Sequence, residues 1–538
     1  MNMKKYKYLV YIISILTCFS SCDYLDLEPE DMVTRDKFFR TKEEVASAVM
    51  GCYAAMMDQR AMQNYFAWGE NRAETNANAT RSNSTWSSIK NGELSPTQST
   101  ANWASIYAVI NNCNSVLEYA KRAQEVDRSF SYELLKEYEA EAICVRSLMY
   151  FYLVRAFGDV PYITTASIND DQNYMVPKTP QAEILDSLVS SLKRVDKSQN
   201  GTFPQVGIPF NYGTNSAVNK GRFTVWSLKA LLADIYLWKE DYRNCLIETT
   251  AIINSGQYSL LPISSQRVDA EDAMGQLHPV YYPSEGDVDA YFNSMYVAGN
   301  SVESILELQF AEDYENPFYG MFSSESGYIV PNTEYFSEEL FVPSNIDRGW
   351  YDIRTEGVSA KQGLVWKWIG LDRSAYTYRQ RSESFSNWIF YRLSDIKLMK
   401  AEALNQLGKE TNNMAQLTEA LEIVREIRTR ACAPESTDLF TEGTPMDAAL
   451  LEEFILQERG RELVFEGKRW FDVLRNAKRN NYAGIGYLLK LAVYAATPDK
   501  AIGLQNKWKG DYNSHYFPIY ENELKSNSAL VQNSFYLK

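Results

Sequence analysis

A mainly α fold carrying one irregular insert is what this chain of 538 residues predicts. Three observations carry that expectation. Apolar residues recur at three- and four-residue steps through most of the chain, the period of a helix with one buried face. The helical segments come in close-set pairs joined by short turns. Between residues 260 and 387 the period fails, and Tyr, Ser, Gly and Pro become frequent. A long aperiodic stretch inside a folded chain is usually functional or disordered, and the aromatic content of this one argues against disorder.

The chain opens on Lys4, Lys5 and Lys7, followed by the apolar run Leu9 to Leu16 and by Phe19-Ser20-Ser21-Cys22. A basic start, a short apolar stretch and small residues before a cut site form a secretory signal, here residues 1–21. The run is too short to span a bilayer, which takes about 20 apolar residues. Small residues directly before Cys22 resemble a bacterial lipobox, in which the thiol is acylated and becomes the first mature residue. Phe19 stands where that pattern usually has Leu. Two or more acyl chains anchor a protein stably, so the mature chain is expected as a globule on a membrane tether. Residues 22–40 form that lipidated tether, acidic from Asp23 to Asp31. An N-terminal helical region follows over 41–259, and a C-terminal region over 260–538 includes the irregular insert 260–387.

Thr41 to Met57 carries Val45, Ala48, Val49 and Cys52 at helical steps. Thr41 and Glu44 make a capping box at its start. Trp103 to Tyr119 repeats the period. Leu134 to Phe157 is a long helix, stopped by Gly158-Asp159-Val160-Pro161. Gln181 to Val195 is another, and Asn200 to Arg222 is loop. Two helices then lie close together, Phe223 to Trp238 and Asp241 to Asn254. Further pairs run from Tyr391 to Leu407 with Asn413 to Arg430, and from Asp447 to Gly467 with Lys468 to Ala477. The alanines Ala230, Ala233, Ala401 and Ala403 at close-packing points make these pairs resemble tetratricopeptide repeats. One such pair cannot bury its own apolar face, so neighbouring pairs must stack. Ser304 to Phe310 reads as a strand, and Asn480 to Tyr516 as irregular.

Composition excludes several functions. The net charge is −15 and basic residues are not clustered, whereas nucleic-acid binding needs a basic face to displace counterions. Only His278 and His515 supply imidazoles, which argues against a histidine metal site and against Ser-His or Cys-His nucleophiles. No zinc, phosphate-loop or nucleophile-elbow motif is present. Asp287-Val288-Asp289 starts like a calcium loop but lacks the glycine and closing glutamate. No metal and no cofactor is expected. Cys52, Cys113, Cys144, Cys245 and Cys432 are far apart, each in a helical segment, and are expected as buried thiols.

Three blocks are distinctive. The first runs from Glu139 to Pro161, with Arg146, Arg155 and the Gly-Asp-Val-Pro end. The second joins Tyr391 to Asn405 with Glu458 to Arg475. The third is Phe517-Pro518-Ile519-Tyr520 through Asn533. Together with the lipobox they resemble the SusD/RagB family of Bacteroidetes outer-membrane nutrient-binding lipoproteins, in family order and over nearly the whole chain. Tyr520 departs from the family's Pro-Ile-Pro, Ser534-Phe535 from its Pro-Gly, and Gly460 replaces a bulkier helical residue. The resemblance implies a non-enzymatic protein that captures oligosaccharides and passes them to a SusC-like TonB-dependent transporter beneath it, on the cell surface. Relatives of the RagB type carry peptides, which leaves the cargo open. A helical glycoside hydrolase and a purely structural surface protein are competing readings. Glu458, Arg461, Glu462, Glu466, Arg469 and Asp472 could hold a hydrolase's acid and base, but their alternating charges favour a structural ion-pair network.

Aromatic rings suit sugars, because the axial C–H groups of a pyranose pack on a ring face while hydroxyls take amides, carboxylates and guanidinium groups. Two regions have this composition: the loop Trp68 to Trp86 between the first two helices, and the insert with Tyr281, Tyr282, Tyr291, Trp350, Trp366 and Trp368. The expected ligand contacts are Arg72, Arg81, Asn83, Trp86, Tyr291 and Trp350. Trp226, Trp238 and Trp470 fall in repeat-like helices and are expected in the core.

Overall fold

A computed structural model describes residues 38–81, 84–167, 172–198, 206–271, 275–341, 352–355, 357–434 and 446–537. The signal, Cys22, most of the tether, Asn83 and Trp350 lie outside the described residues. The architecture is helical, with 59% helix against 9% strand. No helix among the described residues is long and apolar enough to cross a membrane.

The N-terminal half contains α1 (Lys42–Met56), α2 (Gln59–Gly69), α3 (Ser84–Lys90), α4 (Ala104–Val126), α5 (Tyr132–Phe157), α6 (Gln181–Val195), α7 (Val225–Trp238) and α8 (Tyr242–Asn254). The capping box of α1 forms as its sequence dictates: Glu44 N–H donates to Thr41 Oγ1 at 3.2 Å, and Thr41 N–H donates to Glu44 Oε2 at 2.9 Å. α5 is buried on all sides from Ala140 to Phe157. A helix without a polar face belongs in a core, and its charges there are all partnered. Glu141 accepts from Tyr53 and Arg222, and Arg146 donates to Asn114 Oδ1 at 2.7 Å. Arg155 meets Asp234 and lies 3.9 Å over the Phe151 ring. Gly158 ends α5 at φ 76°, where a Cβ would be strained.

The C-terminal half adds α9 (Glu285–Phe292), α10 (Phe318–Phe322), α11 (Leu393–Thr411), α12 (Met414–Arg430), α13 (Ala448–Glu462), α14 (Arg469–Tyr482), α15 (Ile485–Ala495), α16 (Pro498–Gly510) and α17 (Glu521–Ser526). The pair α7/α8 packs on the pair α11/α12 through α8 against α11, and α13 continues the stack on α11. Leu398, Ala401, Leu417, Ala420, Leu451 and Phe454 fill the seam between α11, α12 and α13. Each pair therefore buries its stripe on the next, as the repeat pattern requires. Cys52, Cys113, Cys144 and Cys245 lie in helices, but Cys432 falls in the turn after α12 at φ 59°; all five are buried free thiols.

Three expectations need correction. The stretch expected as loop up to Arg222 contains a short helix, Ser216–Gly221, capped by Asn215. Asn480 to Tyr516 is not irregular: it holds α15 and α16. Leu488, Leu491, Ala492 and Ala495 give α15 a buried stripe, and Pro498 opens α16 at its first turn, where its missing N–H costs nothing. The segment Trp68 to Trp86 is not one loop either. Trp68 ends α2, buried, with its indole donating to Thr100 O at 2.8 Å, and Trp86 sits in α3.

All sheets are two-stranded and antiparallel among the described residues. β4 (Ser304–Leu308) pairs with β8 (Trp388–Arg392), so the insert leaves and returns through a paired neck. β2 (Ser265–Glu271) and β3 (Leu277–Pro283) form a hairpin before the neck. β6 (Gly370–Asp372) and β7 (Thr377–Tyr378) form another beyond it. β1 (Asn76–Asn78) pairs with β5 (Ile329–Pro331), stitching the segment after α2 onto the insert.

The insert is also held by charge. Arg354 reaches Asp352, Glu458 and Glu462. Arg392 reaches Glu462 and Glu466, and Lys367 reaches Glu466 at 2.9 Å. Arg428 and Arg461 both close on Glu458. Every carboxylate on this face of α13 is surrounded by cations. The Arg354, Arg428 and Arg461 guanidinium groups hold Glu458 far below the usual carboxylate range, against a burial penalty of opposite sign. Arginines hold Glu462 and Glu466 below the usual carboxylate range in the same way, again against burial.

Candidate functional site

The β1–β5 ladder brings together the two regions singled out by composition. Asn76 pairs with Pro331, Ala77 with Val330 and Asn78 with Ile329, and Ala79 N–H continues the ladder to Tyr328 O at 3.1 Å. Arg81 then reaches across to the turn after α10. Its Nη1 donates to Ser324 O at 3.0 Å and to Glu325 O. The turn needs Gly327, because a Cβ there would meet Ser323 O at 2.4 Å. Tyr319 donates to Glu325 Oε2 at 2.7 Å, which raises the phenol's pKa. Ser324 Oγ lies 3.4 Å from the Tyr378 hydroxyl on β7, tying in the hairpin that also carries Tyr376.

The result is a surface of rings and hydrogen-bonding groups. Tyr376 is 52% exposed, with Lys361 Nζ 4.1 Å from its ring centroid. Tyr328 and Tyr378 are half-buried, and Arg81, Ser324 and Glu325 are exposed. Gln63 on α2 contacts the Tyr328 hydroxyl at 3.5 Å. Such a face can stack a planar or C–H-rich ligand and supply both donors and acceptors. Burial pushes the Tyr328 phenol up from its ordinary value, so it stays protonated as a donor at neutral pH.

The expected site residues fall in different places. Arg81 is on this face. Trp86 is directly beneath it, 5% exposed, its ring 4.8 Å from that of Tyr328. It is a support for the face and not an open platform. Arg72 does not reach the surface. Its guanidinium donates to Ser514 O and His515 O and lies 4.0 Å over the Trp470 ring. Tyr291 is likewise core, 2% exposed, with Arg430 4.9 Å from its ring centroid. The polar residues that made Arg72 look like a ligand contact are packed against the C-terminal segment. Trp366 and Trp368 are also buried, Trp368 stacked on Trp388 at 5.4 Å, while Tyr281 and Tyr282 lie on the β2–β3 hairpin. Trp238 and Trp470 are in the core, whereas Trp226 is only partly buried at its edge, against the exposed Phe210. Asp287 accepts from Ser264 N–H at 2.9 Å, and Asp289 pairs with Arg373 at 2.7 Å. Tyr319, Glu325, Tyr328, Tyr376 and Tyr378 were missed. Their signal was available as tyrosines set among Ser, Glu, Gly and Thr in the insert, away from any helical stripe.

Fold and face together define a scaffold of stacked helix pairs that carries a loop-built recognition surface at one junction. A model described as "SusD family" matches residues 347–536. One described as "Starch-binding associating with outer membrane" matches residues 23–237. The chain is 26% identical over 515 residues to SusD-like protein P38 of Formosa agariphila, covering 88% of this chain and 93% of that one. It is 25% identical to SusD-like protein P2 of the same organism, covering 99% of both. A solved SusD superfamily protein from Bacteroides thetaiotaomicron superposes with a TM-score of 0.66 at 22% identity, over 93% of this chain and 99% of that one. One from Bacteroides vulgatus gives 0.67 at 18% identity, over 93% and 100%. The chain belongs to the SusD/RagB family.

Proposed function

We propose that this protein is a non-catalytic, lipid-anchored glycan receptor of the outer membrane. It captures oligosaccharides on the face built by Arg81, Ser324, Glu325, Tyr328, Tyr376 and Tyr378, and hands them to a SusC-like TonB-dependent transporter. The observation that carries the reading is the β1–β5 ladder, which brings rings and charged partners to one surface. The absence of an enzymatic role rests on the ion-paired state of the α13 carboxylates, each held by arginines. The outer-membrane placement is supported by the description of the matched model, whose region opens at residue 23, immediately after Cys22. In this reading residues 1–21 are removed, Cys22 is acylated, residues 22–40 are the tether, and Asn83 and Trp350 are further candidate ligand contacts. The boundaries 41–259 and 260–538 separate the two helical halves, with 260–387 as the insert.

Calorimetric titration of the mature protein with a panel of neutral oligosaccharides and peptides tests the cargo. Binding of a glycan without its turnover, weakened by Arg81→Ala, is the expected result. Peptide binding with no glycan binding overturns it. Copurification with a barrel transporter from detergent-solubilised membranes tests the hand-off.

A further inference from the structure

A cavity of about 320 Å³ opens beside the start of α4 and shares no residue with the face described above. Its walls come from three separate stretches of chain: α4 and its cap, the extended segment after α5, and α17 with the residues that follow. Trp103 caps α4, and its ring meets that of Tyr107 edge-on at 5.5 Å. Tyr107 donates to Pro161 O at 2.7 Å, which fixes the phenol against the second wall. One turn on, Asn111 Oδ1 accepts from Ser167 N–H at 2.7 Å, so the amide is oriented with its NH₂ group left for a guest. The third wall is tied down by Glu521 N–H to Pro96 O at 2.9 Å and by Asn527 Nδ2 to Val176 O at 2.8 Å. The cavity is therefore formed before any guest arrives.

Its chemistry is divided. Tyr107 and Ile163 offer apolar surface over a buried Trp103, while Asn111, Glu523 and Ser526 offer hydrogen bonds. Burial raises the Glu523 carboxyl, and the Trp103 indole partly offsets that by hydrogen-bonding to it. The volume lies at the low end of the roughly 300–1,000 Å³ typical of small-molecule sites, enough for a ring or two and not for a chain.

We propose that this cavity is a second sugar subsite that takes a neutral pyranose residue, its C–H face on Tyr107 and Ile163 and its hydroxyls on Asn111, Glu523 and Ser526. The carboxylate in the wall disfavours acidic sugars. The choice of a sugar over other neutral amphipathic guests rests on the glycan-receptor reading above. Two sites on one chain would hold a long polysaccharide by avidity, without raising affinity at either.

The test uses the full mature protein with methyl glycosides of neutral hexoses, glucuronate and dodecanoate as probes, read by calorimetry and by crystal soaking. Arg81→Ala with Tyr328→Ala disables the first face. Ser526→Trp places a large ring at an exposed position on the mouth of the cavity. In the face-disabled protein a neutral methyl glycoside is expected to bind still, and adding Ser526→Trp is expected to weaken it at least about tenfold, with glucuronate inert throughout. Loss of all glycoside binding in the face-disabled protein, while the parent binds oligosaccharides, overturns the second subsite alone. Dodecanoate binding that Ser526→Trp abolishes, without glycoside binding, overturns it in favour of an apolar ligand. An oligosaccharide affinity that disabling the face leaves at the parent's value, with glycoside binding still lost on Ser526→Trp, keeps the subsite and removes the face from the glycan-receptor reading.

Discussion

Trp86 and Tyr328 stack with ring centroids 4.8 Å apart and planes tilted by 35°, one ring buried in α3 and the other presented on the turn before β5. The pair links core to surface, so the two members should fail differently. Trp86→Ala removes a buried aromatic and leaves a cavity, at a cost of about 3–5 kcal/mol of stability. It also takes away the floor beneath Tyr328. Tyr328→Ala trims a half-exposed ring and should weaken glycan binding with a smaller loss of stability. Thermal melting and titration calorimetry on both variants check the order. A Trp86→Ala protein as stable as the parent would refute the supporting role.

Arg81 is exposed yet holds the carbonyls of Ser324 and Glu325. Arg81→Ala should leave the melting temperature within a degree or so, since exposed polar contacts contribute little to stability. It should lower glycan affinity by roughly tenfold, about 1.4 kcal/mol, as the 323–328 turn loses its registration. Arg81→Lys keeps the charge but not the fork of donors, and should recover only part of the loss.

Much of this protein was legible in its sequence because its helices announce themselves. The box of Thr41 and Glu44, the Gly158 stop and the stripe of α6 all formed where the residue pattern put them. The α13 charges also read correctly, because alternating signs at helical spacing mean partners. Arg72 and Tyr291 read wrongly for one physical reason: local composition does not reveal depth. Arg72 sits amid Asn, Glu and Thr, but the segment folds inward, and its nearest neighbours come from residues 470 to 517. β1–β5 pairing joins strands more than 250 positions apart, and nothing in either three-residue strand specifies the other. Long-range pairing of that kind is set by packing, which a local period cannot show.

Glu458 accepts from Arg354, Arg428 and Arg461 together. Glu458→Gln keeps the shape and removes the charge, leaving three buried guanidinium groups short of a counter-charge. Breaking a buried ion pair by removing one partner costs about 3–5 kcal/mol. The variant is expected to unfold at markedly lower denaturant concentration. Whatever fraction folds should bind glycan as the parent does, because the cluster is buried and shares no residue with the proposed ligand face. Loss of binding at full stability would point to a direct functional role for Glu458.

Acid should unfold this protein in part through Glu402. The carboxyl bridges Arg475 and Arg479 at 2.9 Å and closer. Burial works to raise its pKa, but the guanidinium groups of Arg475, Arg479 and Arg459 outweigh it, and the net effect is a fall from 4.5 to about 2. A carboxyl depressed in the folded state binds fewer protons there than in the unfolded chain, so its stabilisation is complete above about pH 4.5 and is lost as pH falls toward about 2. At 1.36 kcal/mol per pH unit the contribution is on the order of 3 kcal/mol. Glu402→Gln cannot titrate, so the stability gap between parent and variant should be widest near neutrality and shrink steadily across that acid window. Denaturant midpoints measured from neutral to acid pH give the gap directly. A gap that stays constant through the window would mean that Glu402 is not the group whose protonation loosens the α11–α14 seam.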